Sequence, residues 1–114
     1  VWTQKRQQIA KIFDEFFSSK GIKTMRVLPP AECVYHLYVI EVTNRNAIAE
    51  KLKSLGVATG IHYPIPLHLQ PALSHLGGRE GEFPAAERAA TRLLSIPIYP
   101  ELSEAQIELI KKAF

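Results

Sequence analysis

The sequence predicts an α+β fold: a small sheet of about three strands with helices packed on it. Three observations carry that reading. Residues 34 to 42, Val-Tyr-His-Leu-Tyr-Val-Ile-Glu-Val, alternate as a strand does, and both alternating sets are largely apolar. Both ends of the chain show helical spacing of apolar residues. Between them lies Gly60-Ile61-His62-Tyr63-Pro64-Ile65-Pro66-Leu67-His68-Leu69-Gln70-Pro71, a stretch too rich in proline to be a regular helix.

Taken in order, Trp2, Ile9, Ile12, Phe13, Phe16 and Phe17 predict a helix over residues 2 to 19, stopped by Gly21. Its wide aromatic stripe must press on this domain's sheet or on another domain. Lys23 to Cys33 reads as an extended connection broken by Pro29-Pro30. The strand over 34 to 42 is expected to be central and covered on both sides. His36 then lies among apolar neighbours, as a hydrogen-bonded core histidine or as a ligand-facing one.

Asn44 or Asn46 caps a second helix through about Leu55, with Ile48, Leu52 and Leu55 inward and Gly56 closing it. Val57 to Ile61 alternates as a second strand, and Gly60 invites a close approach by backbone or ligand. The loop that follows runs to about Phe83, with a short helical turn over Pro71 to Leu76. Connections this long are uncommon in small domains unless they do something. Pro84 starts a third helix, whose small face is Ala86, Ala89 or Ala90, and Leu93. Leu94, Ile96 and Ile98 form a third strand, placed at an edge by Pro97. Ser103 and Gln106 make a capping box for a last helix that buries Ile107, Ile110 and Phe114, with Leu102 stapled to Ile107.

The chain has 114 residues, one domain's worth, at 46% hydrophobic and 22% charged, with formal net charge +3. The excess charge is scattered over Lys5, Arg6, Lys11, Lys51, Lys53, Lys111 and Lys112, as on solvated helix faces. It forms no basic stripe with interleaved aromatics, so no nucleic-acid partner is expected. No apolar run reaches membrane-span length, so no membrane is expected. One cysteine, Cys33, excludes an internal disulfide and a cysteine-based metal site. Val1 is not an initiator methionine and helical pattern starts at once, so the chain is expected to be a fragment, with a processed or trimmed start as the alternative.

The loop offers His62, Tyr63, His68 and Gln70 as donors, acceptors and a proton carrier near neutral pH. No carboxylate, serine or cysteine is read as sitting beside the two histidines to complete a nucleophilic arrangement. The gaps between His62, His68 and His75 match no helical metal pair, and no metal site is assigned. Glycines 77, 78 and 81 lack the strand, helix and lysine of a phosphate-cradling loop. The residues themselves point to a binding surface for a polar small molecule, with bland structural use of any single one left open.

Val34-Tyr35-His36-Leu37-Tyr38-Val39, the Gly60 to Pro71 string, Phe83-Pro84-Ala85-Ala86-Glu87 and Leu94-Ser95-Ile96-Pro97-Ile98-Tyr99-Pro100 together closely resemble the carboxy-terminal part of the DegT/DnrJ/StrS aminotransferases. Lys5-Arg6-Gln7-Gln8-Ile9-Ala10 resembles the helix that enters that domain, so the resemblance covers essentially the whole chain. It implies residues 1–114 as a small C-terminal domain of a fold-type I aminotransferase. Residues 1–20 are the entering helix and 60–83 the substrate-side loop, and the large domain that binds pyridoxal phosphate is absent. It implies transfer of an amino group, commonly from glutamate, to a nucleotide-linked keto sugar by a cytoplasmic homodimer. By resemblance, His62, Tyr63, His68 and Gln70 line or brace the substrate entrance, with His36 supporting that wall. No catalytic or cofactor-binding residue is assigned here, because no lysine lies between Lys53 and Lys111. Leu73 departs from the family, where tyrosine is frequent. The sequence also admits two rivals: a stand-alone small-molecule binding module, and a dimerisation module whose surface is the aromatic stripe of the first helix.

Overall fold

In the computed structural model, which describes residues 1–114, helix α1 (Trp2–Ser19) lays its aromatic stripe on the domain's own sheet. Phe13 and Phe17 are fully buried, 5.2 Å and 6.2 Å from the Tyr38 ring, and Phe114 meets Phe17 edge-on at 4.9 Å. Exposing both phenylalanines would cost about 3–6 kcal/mol at the usual worth of a buried aromatic side chain. The dimer-surface reading of Phe13 and Phe17 is therefore corrected: they belong to the core. Trp2 and Ile12 are the members of the stripe left exposed.

The sheet has three antiparallel strands in the order β1 (Lys23–Thr24), β2 (Tyr38–Glu41), β3 (Leu93–Ile96). Its register runs from Tyr38 opposite Ile96 to Glu41 opposite Leu93. The central strand is where the sequence put it, but it is shorter than 34 to 42. Tyr35 takes φ +48, a left-handed backbone that ends an extended run. Upstream carbonyls are also taken by α1: Arg6 Nε donates to the Val34 oxygen at 2.9 Å and Gln7 Nε2 to the Cys33 oxygen at 3.0 Å. His36 consequently stands exposed, which corrects its expected place among apolar neighbours.

The other outer strand comes from the stretch read as a connection, at Lys23–Thr24. The strand expected over Val57 to Ile61 contracts to one antiparallel bridge, Gly60 with Ser95. That bridge lies along the free side of β3, which is otherwise the sheet edge, with Pro97 one residue beyond it.

Helices α1 and α2 (Arg45–Ser54) end alike, in glycines with φ +67 at Gly21 and φ +77 at Gly56. The amides of Gly21 and Ile22 return to Ser18 and Phe17, and those of Gly56 and Val57 to Lys53 and Leu52. Only glycine takes this backbone at little cost. Helix α3 (Pro84–Arg92) runs into β3 with no loop, because Leu93 is already extended. Helix α4 (Glu104–Lys111) carries the Ser103–Gln106 capping box, and Leu102, Ile107 and Ile110 are buried. Lys51 Nζ donates to the Ala113 carbonyl at 3.0 Å and Lys20 Nζ to that of Phe114 at 3.4 Å, which ties down the end of the chain. No helix is long and apolar enough to cross a membrane.

Candidate functional site

The loop from Gly60 to Phe83 is held at both ends. At its start, Gly60 and Ser95 exchange two backbone hydrogen bonds, N to O at 3.0 Å and 2.8 Å. His62 folds back over this bridge, and its Nδ1 lies 2.8 Å from the Ser95 hydroxyl. A Cβ on Gly60 would stand 2.5 Å from His62 Cε1. The close approach that Gly60 permits is thus by an imidazole of its own loop. Tyr63, joined to His62 by a cis peptide, sets its ring edge-on to that imidazole at 5.5 Å and is 72% exposed, with its phenol unpartnered.

Beyond the prolines, the chain makes two short 3-10 turns, Leu67–Leu69 and Pro71–Leu76. The second is the turn expected there. Gln70 joins them and donates its Nε2 to the Ile65 carbonyl at 3.2 Å, stapling the proline segment to itself. The far end converges on a carboxylate. Glu87, in the first turn of α3, accepts from the Gly81 amide with both oxygens at 2.9 Å and from the Phe83 amide at 3.2 Å. His68 Nε2 lies 3.0 Å from the same carboxylate, and its ring meets Phe83 edge-on at 4.8 Å. The Gly81 amide leads, with His68 and the Phe83 amide, in holding the Glu87 carboxyl below its ordinary 4.5. Gly78 packs so closely on the His68 carbonyl that no side chain fits there. An apolar cleft of about 470 Å³ opens beside His68, floored by Leu67, Leu73, Leu76, Phe83 and Ala86.

The structure therefore separates the residues singled out in the sequence. His62 and Tyr63 form one pair at the mouth of the loop. His68 and Gln70 are spent on bonds within it. His36 stands apart: no hydrogen bond or ring contact joins it to the other four. The sheet register puts it beyond the Ile96 end of β3, whereas the chain leaving Gly60 heads toward the Leu93 end. Three histidines in one loop gather no cluster fit for a metal ion. Two partners escaped the sequence reading, Ser95 and Glu87. The available signals were a lone hydroxyl in an apolar strand and a carboxylate one turn after a helix-starting proline.

A family model described as the DegT/DnrJ/EryC1/StrS aminotransferase family matches residues 1–114. The chain belongs to that family. It is 36% identical over 112 residues to a pleiotropic regulatory protein of Geobacillus stearothermophilus, covering 96% of this chain and 30% of that one. It is 35% identical over 105 residues to UDP-2-acetamido-2-deoxy-3-oxo-D-glucuronate aminotransferase of Pseudomonas aeruginosa, covering 92% of this chain and 28% of that one. Its fold superimposes on a DegT DnrJ EryC1 StrS aminotransferase from Brucella abortus with a TM-score of 0.88 at 30% identity, over 98% of this chain and 30% of that chain. The chain thus spans about 30% of the length of the relatives it matches, and its small antiparallel sheet with helices is that of a fold-type I aminotransferase domain.

Family members use pyridoxal phosphate, which needs an approachable lysine and a cradle for its phosphate. No lysine of this chain stands at the candidate site. Lys20, Lys51 and Lys111 are engaged with Phe114, Ala113 and Glu108. Lys5, Lys11, Lys23, Lys53 and Lys112 are exposed on the helices, on β1 or at the end of the chain, and no lysine adjoins the loop.

Proposed function

We propose that this chain is the substrate-side domain of a pyridoxal-phosphate-dependent aminotransferase, which moves an amino group from an amino acid such as glutamate to a nucleotide-linked keto sugar. Pyridoxal phosphate, held by sequence outside these residues in a cytoplasmic homodimer, supplies the amino-transfer chemistry. The work of this chain is to bind and orient the sugar and to keep water from it. His62 and Tyr63 carry that contact, while His68, Gln70 and Glu87 keep the loop in shape around them. His36 has no part in the wall within this chain.

One observation carries the reading: an exposed phenol and an imidazole sit side by side on a proline-stiffened loop that is bonded at both ends to a packed sheet and helix. Rigid placement of a few polar groups is what orienting a polar ligand requires. The family match over the full chain and the sugar aminotransferase among its relatives support the substrate class.

The test uses the full-length polypeptide that contains these residues. Tyr63→Phe should raise KM for the nucleotide sugar about two- to tenfold, the worth of one hydrogen bond. Cofactor absorbance and the half-reaction with the amino donor should be unchanged. Loss of absorbance in step with sugar use, or an unmoved KM, would refute the reading.

A further inference from the structure

The seat of His62 fixes more than its position. Ser95 is buried, at 5% exposure, and its backbone N–H and C=O are both used by Gly60. Its hydroxyl has one partner in the chain, His62 Nδ1. If Nδ1–H donated to the Ser95 oxygen, the hydroxyl proton would be left in the interior without an acceptor, a costly arrangement. With the hydroxyl donating to Nδ1 instead, the Ser95 proton has its acceptor. The neutral imidazole then carries its proton on Nε2.

Nε2 has no partner within the chain, yet no buried side-chain nitrogen or oxygen is unpartnered, so Nε2 reaches the surface. The ring cannot swing away on the side of Gly60, against which it lies. One edge of the imidazole is thereby locked inward as an acceptor, and the other is presented outward as an N–H donor.

We propose that Ser95 and Gly60 are positioning residues that lock His62 in the Nε2–H form, so that it donates a hydrogen bond to an acceptor oxygen of the nucleotide sugar. The tautomer lock stands on geometry alone; the choice of ligand rests on the proposed function. Neither residue touches the substrate. Their effect passes through His62, which a tautomer rotated or re-protonated at Nδ1 could not reproduce.

Two measurements separate these parts. In 15N spectra of the 114-residue chain, at a pH where imidazole is neutral, His62 should show a protonated Nε2 and an unprotonated, hydrogen-bonded Nδ1. Ser95→Ala should mix the two tautomers, and Ser95→Thr, which keeps the hydroxyl, should restore the preference. A wild-type Nδ1–H form, or a Ser95→Ala spectrum identical to wild type, overturns the lock. In the full-length enzyme, Ser95→Ala and Gly60→Ala should each raise KM for the nucleotide sugar about three- to tenfold, with kcat and the amino-donor half-reaction within about twofold of wild type. Ser95→Thr should recover most of that loss. Inhibition by the nucleoside diphosphate alone locates the oxygen: weakened equally, it lies on the diphosphate; unmoved, it lies on the sugar. If the spectra behave as stated but neither KM nor inhibition moves, His62 is locked yet does not meet the substrate, and the ligand part of the proposal falls with the reading beneath it.

Discussion

Tyr38→Phe removes one oxygen from the middle of the domain and leaves the ring. The Tyr38 hydroxyl donates to Asp14 Oδ1 at 2.6 Å, joining β2 to α1 beneath the Phe13 and Phe17 rings. Hydrogen bonds to a charged acceptor are worth about 1.5–3 kcal/mol. Asp14 is only half-buried and regains water when the phenol is gone, so the loss should sit at the low end, about 1.5 kcal/mol, or roughly 6 °C in Tm for a domain of this size. The same pair makes a second, sharper prediction. Burial first, then the hydrogen bond and charge of Asp14, push the phenol far above its ordinary 10.0. A group raised in the folded state stabilises it fully below the unfolded value, and that contribution is lost as pH rises above it. Above pH 10 the unfolded chain releases this proton and the folded one keeps it, so the wild type loses about 1.4 kcal/mol per pH unit through Tyr38 alone. Tyr38→Phe has no such proton. The gap between the two proteins, about 1.5 kcal/mol at pH 7, should therefore close almost to zero near pH 11. Urea unfolding of both chains at the two pH values measures it, and titrating lysines cancel in the difference. A gap that is the same at both pH values would show that Asp14 and burial do not hold the phenol protonated.

The Glu87 hub predicts the opposite pH sense: its carboxyl is depressed in the folded state, so its contribution is present above about 4.5 and disappears as acid carries the pH through its lower folded value. Amide exchange at Gly81 and Phe83, corrected for intrinsic rates, should lose protection in that acid range, and Glu87→Gln should show reduced protection already at neutral pH; equal protection in both proteins would remove Glu87 from its role. His68→Ala in the full-length enzyme should impair use of the nucleotide sugar more than cofactor binding, since His68 acts on the loop through Glu87 and Phe83; parallel loss of cofactor absorbance would count against it. Ser103→Ala breaks the capping box of α4 and should destabilise the chain by about 1 kcal/mol without touching the loop, as thermal unfolding and the His62 spectrum together would report.

The parts of this structure that were legible in the sequence are those set by local rules. Gly21 and Gly56 end their helices because a left-handed residue must stand there, and Ser103–Gln106 starts one because both groups reach back to the backbone. The central place of the strand was legible from its run of apolar residues, but its cover was not: Tyr38, Ile40 and Val42 are buried while Val39 and Glu41 are half-buried, so only one face is closed where both were expected to be. What failed depended on partners far along the chain. The strand could not be seen to stop at Tyr38, because what occupies the carbonyls of Cys33 and Val34 are Arg6 and Gln7, 26 to 28 positions earlier. Nor could Lys23–Thr24 be told from a connection, since two residues carry no period.

The loop shows the same division, and it bears on how such sites should be read. Its prolines announced stiffness, and its histidines, tyrosine and glutamine announced polarity, but sequence proximity could not say which of them faced outward. Distant groups decide that. Glu87, 19 positions from His68, engages its Nε2, and Ser95, 33 positions from His62, engages its Nδ1. One histidine is thereby bound into the scaffold through its Nε2, while the other keeps its Nε2 free at the surface. Four polar residues of equal standing in the string Gly60 to Pro71 thus become two that brace and two that present. A binding loop of this kind needs more polar groups than its ligand contacts, because the braces fix where the contacts point.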